Sequence, residues 1–163
     1  LMALGDNTLT AARGNSQRGR NPYMVQATLD FAQAVTDKGT ALAAADVIPV
    51  LTIPANTAIL GAGMEVTAAH AGTSTDTAFD LGIGGGANFV DGFDFDGASV
   101  GAYATMATTA PVVIGGTADN LDVTLQAMTG TTTGGKVRVF AICMDVDDPG
   151  SLTADEVDRD TLA

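Results

Sequence analysis

The chain has no lysine and no arginine between residues 39 and 135, although nine of its nineteen carboxylates lie there. Surfaces that bind DNA or RNA neutralise phosphate with Lys and Arg, and surfaces that bind anionic membranes do the same. The formal net charge of the whole chain is −12. The charge pattern therefore argues against nucleic acid and against a membrane as partners, and it predicts an acidic, soluble surface.

Cysteine and histidine are nearly absent, which limits nucleophilic chemistry. The single cysteine, Cys143, excludes an internal disulfide, and the single histidine, His70, lies in a stretch of Thr, Ala and Gly. Cys143 is part of the apolar run 137–144, which is typical of a buried core thiol rather than a reactive one.

Motifs of the common enzyme classes are also missing. The chain contains no G-x-S-x-G and no H-E-x-x-H. The glycine run 82–86 lacks the third, correctly spaced glycine of a dinucleotide fingerprint, and neither a helix pattern nor a lysine follows it. Acid pairs for glycoside hydrolysis depend on three-dimensional separation, and nothing in the sequence selects such a pair. We therefore expect no enzyme and no cofactor.

Long apolar segments are absent as well. The first twenty residues are polar and contain three arginines, so we expect no secretory signal. The longest apolar region, 41–63, is interrupted by Asp46, Pro49 and Pro54, which is not typical of a membrane span.

The chain does contain many short apolar runs separated by Gly, Pro, Asn, Asp and Thr. About eight strands at spacings near ten residues indicate an all-β protein, either an antiparallel β-sandwich or a jelly roll. Residues 32–45 fit a short helix or a loop equally well. The strand candidates are 23–31, 47–53, 58–69, 77–83, 87–90, 99–106, 111–114, 121–128 and 136–146.

Three regions follow from this pattern. Residues 1–22 are a polar, basic N-terminal arm, residues 23–146 the β-sandwich domain, and residues 147–163 an acidic C-terminal tail or short helix. Thr153 and Glu156 fit a capping box that would begin such a helix near Ala154. The arm could lie across an acidic neighbour, or it could be a mobile terminus.

The last predicted strand is apolar on both faces. Val137, Val139, Ala141 and Cys143 alternate with Phe140, Ile142, Met144 and Val146. One face of an antiparallel sheet normally meets water. We therefore predict that Phe140, Ile142 and Met144 are covered by a loop or by the arm, or lie in a subunit contact, and we favour a homo-oligomer.

Two acidic clusters have some of the features of calcium sites. Asp145, Asp147 and Glu156 fall at EF-hand positions 1, 3 and 12, but Pro149 stands at position 5 and a strand precedes the loop. Asp91, Asp94 and Asp96 form the second cluster, and a solvated hairpin with buried phenylalanines is the alternative interpretation. We predict no metal site at either place.

Six segments of short strands and turns have a characteristic order and spacing: 46–60, 63–67, 79–83, 91–94, 119–125 and 135–141. The turn from Ile53 to Thr57 is the most specific part of this pattern. The pattern resembles the small β-rich virion proteins of tailed bacteriophages, known as head decoration (capsid cement) or minor structural proteins. The resemblance implies a β-sandwich, often trimeric, that binds the assembled major capsid protein on the capsid exterior, with no catalytic residues.

These observations favour a capsid decoration protein of a phage virion. Arg13, Arg18 and Arg20 of the arm are the expected contacts with an acidic capsid surface. The alternative is a carbohydrate-binding or adhesion module of a fibre or cell-surface protein. The scarcity of aromatic residues, 5% of the chain, weighs against that alternative because sugar sites present aromatic platforms.

Overall fold

The computed structural model describes residues 9–10, 21–104 and 111–146, and within them the chain folds as a β-sandwich of two sheets. The predicted all-β sandwich is therefore confirmed. The elements are β1 (Leu9–Thr10), β2 (Tyr23–Asp30), α1 (Phe31–Lys38), β3 (Val47–Ile53), β4 (Thr57–Gly72), β5 (Asp76–Ile83), β6 (Val90–Asp94), β7 (Val112–Ile114), β8 (Asp119–Thr129) and β9 (Thr132–Asp145).

The two sheets have the strand orders β1-β3-β8-β5-β6 and β2-β9-β4-β7. Every pairing is antiparallel except that of β1 with β3, in which Leu9 and Thr10 lie opposite Leu51 and Thr52. The two longest strands, β4 and β9, pair at the centre of the second sheet. Part of the predicted arm, the two residues of β1, thus adds a strand to the first sheet.

The core lies between the sheets and is built by alternation along each strand. On β9, Val137, Val139, Ala141 and Cys143 point inward and are fully buried. The rings of Phe31, Phe79 and Phe95 pack together with centroids 4.8–5.0 Å apart. Burying a side chain of this size contributes about 1.5–3 kcal/mol, so this cluster offsets the otherwise small side chains.

Helix α1 resolves the ambiguity of residues 32–45. The strand β2 ends at Asp30, whose carboxylate accepts a hydrogen bond from the Ala32 N–H at 3.0 Å and so caps the helix. Gly39 ends it with φ +72°, a conformation that glycine adopts without strain. Phe31, predicted as the last residue of the strand, is instead the first residue of the helix and remains buried.

Two predicted strands are wrong in the part that the structure describes. Between Ser99 and Ala104 there is only an isolated bridge from Tyr103 to Glu65, because the chain turns at Gly101 with φ +87°. In 87–90, only Val90 belongs to a strand. Asn88 instead accepts a hydrogen bond from the Ile83 N–H at 2.9 Å and closes the preceding glycine loop.

The face of β8 that carries Asp122 and Thr124 is covered at its centre. Asp122 is only 6% exposed because the loop 84–86 folds over it, and Gly85 donates its N–H to the Asp122 carboxylate at 3.2 Å. Gly82 allows this approach, since a Cβ there would lie 2.1 Å from the Gly86 carbonyl oxygen. The glycine loop therefore covers the buried carboxylate of Asp122.

Candidate docking surface

The side chains that point away from the core on the second sheet form one continuous surface. Along it, Met24 of β2 pairs with Ile142 of β9, and Ala58 of β4 lies opposite both Met144 and Val113. We call Met24, Val113, Phe140, Ile142 and Met144 the outer face.

The outer face exposes large apolar side chains. Met24 is 63% exposed, Val113 59% and Ile142 43%. Phe140 is partly covered because its ring lies over Gly63, where an added Cβ would be 2.8 Å from the ring. A cluster of exposed apolar side chains on one sheet face is typical of a contact surface.

Ion pairs continue the same surface beyond Phe140. Arg138 pairs with Glu65 on β4, and the Lys136 ammonium lies 2.9 Å from the Asp30 carboxylate on β2. The hydrogen bond from Lys136 lowers the pKa of Asp30 below its ordinary value. These two cations and two carboxylates leave this part of the surface formally neutral.

Every cation in the described part of the chain is paired with a carboxylate. The third pair joins Lys38 and Asp46. The same residues contain twelve carboxylates, so the charged side chains left unpaired with a cation are all acidic. The described body therefore exposes an apolar outer face, and its three cations are already paired with carboxylates.

A shallow concavity of about 240 Å³ lies beside the outer face. Tyr103 forms one wall of this concavity and is 61% exposed. Its backbone is held in place by an isolated bridge to Glu65. The other lining residues are Met24, Gln26, Arg138 and Phe140.

Tyr23 and Asp145 lie together at one end of the sandwich, next to the points where the predicted arm and tail join the body. Tyr23, at the start of β2, donates its hydroxyl to the Asp145 carboxylate at 3.0 Å, and Thr57 at the start of β4 lies against the same carboxylate. Burial, with a further contribution from Asp145, raises the pKa of Tyr23 above its ordinary value. The Tyr23–Asp145 hydrogen bond therefore holds both attachment points together.

The calcium candidates have ordinary protein partners. Asp91 accepts from the Gln126 amide at 3.2 Å, Asp94 from the Gly97 N–H at 3.0 Å and Asp96 from the Thr77 N–H. Asp147 and Glu156 lie outside the described residues. Within the described residues, no group of three or more His, Cys, Asp or Glu side chains could hold a metal ion.

The two residues considered for nucleophilic chemistry have structural surroundings. Cys143 is fully buried, and burial raises the pKa of its thiol to about 11. His70 shares a hydrogen bond with the Thr132 hydroxyl at 3.0 Å and packs edge-on against Phe95 with ring centroids 5.5 Å apart.

The structure places Phe140, Ile142 and Met144 on one face, as the alternation along β9 predicted. The sequence analysis did not identify Met24, Tyr103 and Val113 as part of this surface. They are brought next to the β9 residues only by strand pairing and by one bridge. Met24 carried a weak signal, because it is apolar at a position of β2 that alternates with the buried residues. Arg13, Arg18 and Arg20 lie outside the described residues.

Comparison with solved structures finds the same fold in two phage capsids. The chain is similar to a chain of the Ralstonia phage GP4 capsid, with a TM-score of 0.62 and 15% identity over 86% of this chain and 99% of that one. It is also similar to a chain of the cyanophage Pam1 capsid asymmetric unit, with a TM-score of 0.54 and 19% identity over 83% and 91% of the two chains. No family model and no curated protein matches the sequence.

No helix in the described residues is long and apolar enough to cross a membrane.

Proposed function

We propose that this chain is a structural protein of a tailed-phage virion that decorates the outside of the head and stabilises the shell. The observation that carries the proposal is the fold shared with chains of two phage capsids over more than four-fifths of this chain. The resemblance of its strand and turn segments to head decoration proteins supports the same function.

The outer face gives this function a physical mechanism. Burying apolar surface contributes about 25 cal/mol per Å², and Met24 and Ile142 lie side by side with about half of their surface still accessible. Each copy would add a modest contact, and many copies would clamp neighbouring capsid subunits. The major capsid protein is the proposed partner, and a homo-oligomer is the proposed state of the bound protein.

The N-terminal arm would contribute electrostatic attraction to the shell. All cations of the described body are already paired, so attraction to an acidic shell would come from Arg13, Arg18 and Arg20. Such attraction mainly accelerates and orients association, whereas the apolar contact slows dissociation.

An occupancy assay on undecorated heads tests the outer face. We expect purified wild-type chain to bind heads of the virus that encodes it, and we expect Ile142→Asp to lower occupancy at least tenfold. A buried, unpaired carboxylate at the centre of a contact costs more than the about 1.4 kcal/mol that corresponds to tenfold. The measurement is the amount of chain that sediments with the heads, together with the temperature at which the heads rupture.

Val100→Asp is the matched control, because Val100 is 62% exposed and does not belong to the outer face. It should bind like the wild type. Equal occupancy of both variants would reject the outer face as the docking surface, and failure of the wild type to bind heads would reject the decoration function.

A carbohydrate-binding or adhesion module is the second candidate, and exposed Tyr103 beside the concavity is the observation that favours it. Ligand pockets usually measure about 300–1,000 Å³, and the concavity is smaller, at about 240 Å³. Binding of the wild type to a glycan array, lost in Tyr103→Ala, would favour this function over decoration.

A further inference from the structure

Three of the four sheet edges carry features that prevent pairing with another strand. Strand β7 has only three residues. Strand β6 carries Asp91 and Asp94, and its register with β5 is interrupted. The outermost strand at the remaining edge, β1, has only two residues, and β3 beside it contains Pro49 with a bulge next to it. Short length, charge, proline and bulges are the usual means by which proteins block open edges.

The fourth edge, β2, has none of these features. It runs for eight residues in unbroken register with β9, and it contains neither proline nor lysine. Its single charged residue is Asp30, at its last position. Among the described residues, β2 is paired on the β9 side only.

We propose that β2 pairs antiparallel with β2 of a second copy across a two-fold axis, so that two four-stranded sheets become one. A strand that pairs with its own copy in this way forms a closed, self-complementary interface. Charge favours this edge over the others. Residues 23–29 carry no charge, so two chains of net charge −12 can meet there without opposing like charges.

The pleat restricts the register of the pairing. A two-fold axis perpendicular to the sheet keeps outward residues outward, so Met24, Gln26 and Thr28 must face members of the same set. Placing Gln26 opposite Gln26 pairs Met24 with Thr28 of the second copy. It also leaves Asp30 outside the paired segment, free to keep its ion pair with Lys136.

Edge pairing keeps the outer face available. Both outer faces would lie on the same side of the joined sheet, which doubles the apolar area offered to a shell, whereas a face-to-face dimer would bury it. The inference rests on the proposed homo-oligomer but not on capsid binding. It predicts a dimer, in contrast to the trimer that the resemblance implies.

The mass of the free protein in solution tests the pairing. We expect sedimentation equilibrium to show twice the 16.3 kDa chain mass. Gln26→Lys, which sets two lysines opposite each other, should weaken dimerisation about fivefold or more. The matched control is Val100→Lys, because Val100 is 62% exposed and belongs neither to β2 nor to the outer face, and it should leave the dimer unchanged. A monomer at all concentrations, or equal effects of the two lysines, would overturn the proposal.

Disulfide trapping tests the register. Directly opposed residues of a pair have Cβ atoms about 4.5–5.5 Å apart, so Gln26→Cys should oxidise to a cross-linked dimer on a non-reducing gel. Thr28→Cys, offset from its own counterpart, should cross-link at least tenfold less, and native Cys143 is fully buried. No preference for position 26 would overturn the pairing. Because neither experiment uses heads, a failure to bind shells leaves the dimer result interpretable.

Discussion

Asp122 is a buried carboxylate without a cation, since the three cations of the described residues are paired elsewhere. Burial raises its pKa from 3.8 to about 6, with a smaller contribution in the same direction from nearby Asp119, while the Gly85 N–H opposes the shift. Asp80, also buried, lies on the same face of the neighbouring strand, and its carboxylate accepts from the Gly92 N–H at 2.8 Å. Asp122 therefore holds its proton more tightly in the folded state than in the unfolded state.

The stability contributed by Asp122 should fall as pH rises. At pH values below the unfolded pKa both states hold the proton, and at pH values above about 6 the folded state has to bury the charge. We expect Asp122→Asn to be more stable than the wild type by about 1–3 kcal/mol at pH 8, with the difference disappearing below the unfolded pKa of 3.8. Urea denaturation of both proteins across this range measures it.

Asp76→Asn is the control for Asp122→Asn, because Asp76 is exposed. It should change stability little at any pH. A difference between wild type and Asp122→Asn that does not vary with pH would contradict the raised pKa.

At the scale of elements, the glycine loop and β5 act as one unit. The loop lies against the sheet because Gly82 has no side chain and because Gly84 and Gly85 adopt φ of +62° and +76°. The glycines at 84–86 separate two strand candidates in the sequence, but they do not indicate which face of the sheet the loop covers. That depended on the pairing of β5 with β8, which sets Gly82 opposite Asp122.

Gly82→Ala should separate the loop from the sheet. Its Cβ would lie 2.1 Å from the Gly86 carbonyl oxygen, so the loop has to move and expose Asp122. We expect a loss of about 2–4 kcal/mol, in the range of overpacked and desolvated sites. Thermal unfolding measures the loss, and Gly115→Ala, which has nothing within 4 Å, should be nearly neutral. Equal effects at both positions would show that the close approach does not matter.

At the scale of the whole molecule, charge is divided between the body and the predicted arm. The described body has twelve carboxylates and three paired cations, whereas the arm of residues 1–22 has three arginines and one aspartate. The proposed decoration function therefore assigns electrostatic attraction to the arm and apolar contact to the outer face.

Replacing Arg13, Arg18 and Arg20 together with alanine should weaken binding to heads and reduce its dependence on salt. Exposed charges are largely screened when the Debye length falls from about 10 Å at 0.1 M salt to about 3 Å at 1 M, so only the wild type should lose much occupancy over this range. The triple variant retains Leu9 and Thr10 of β1, and its thermal unfolding should match that of the wild type. Identical salt dependence of the two proteins would contradict a docking role for the arm.

The sequence by itself determined the local features of this protein. The period of two predicted most of the strands and the buried face of β9, because alternation depends on neighbouring residues. The missing cations predicted an acidic body, because charge depends on composition. Tertiary structure decided which residues meet. Strand order brought Met24 beside Ile142, left β2 as an unprotected edge and buried Asp122 beneath a glycine loop. Such contacts join residues far apart in the chain, and alternation along one strand cannot predict the neighbour of that strand.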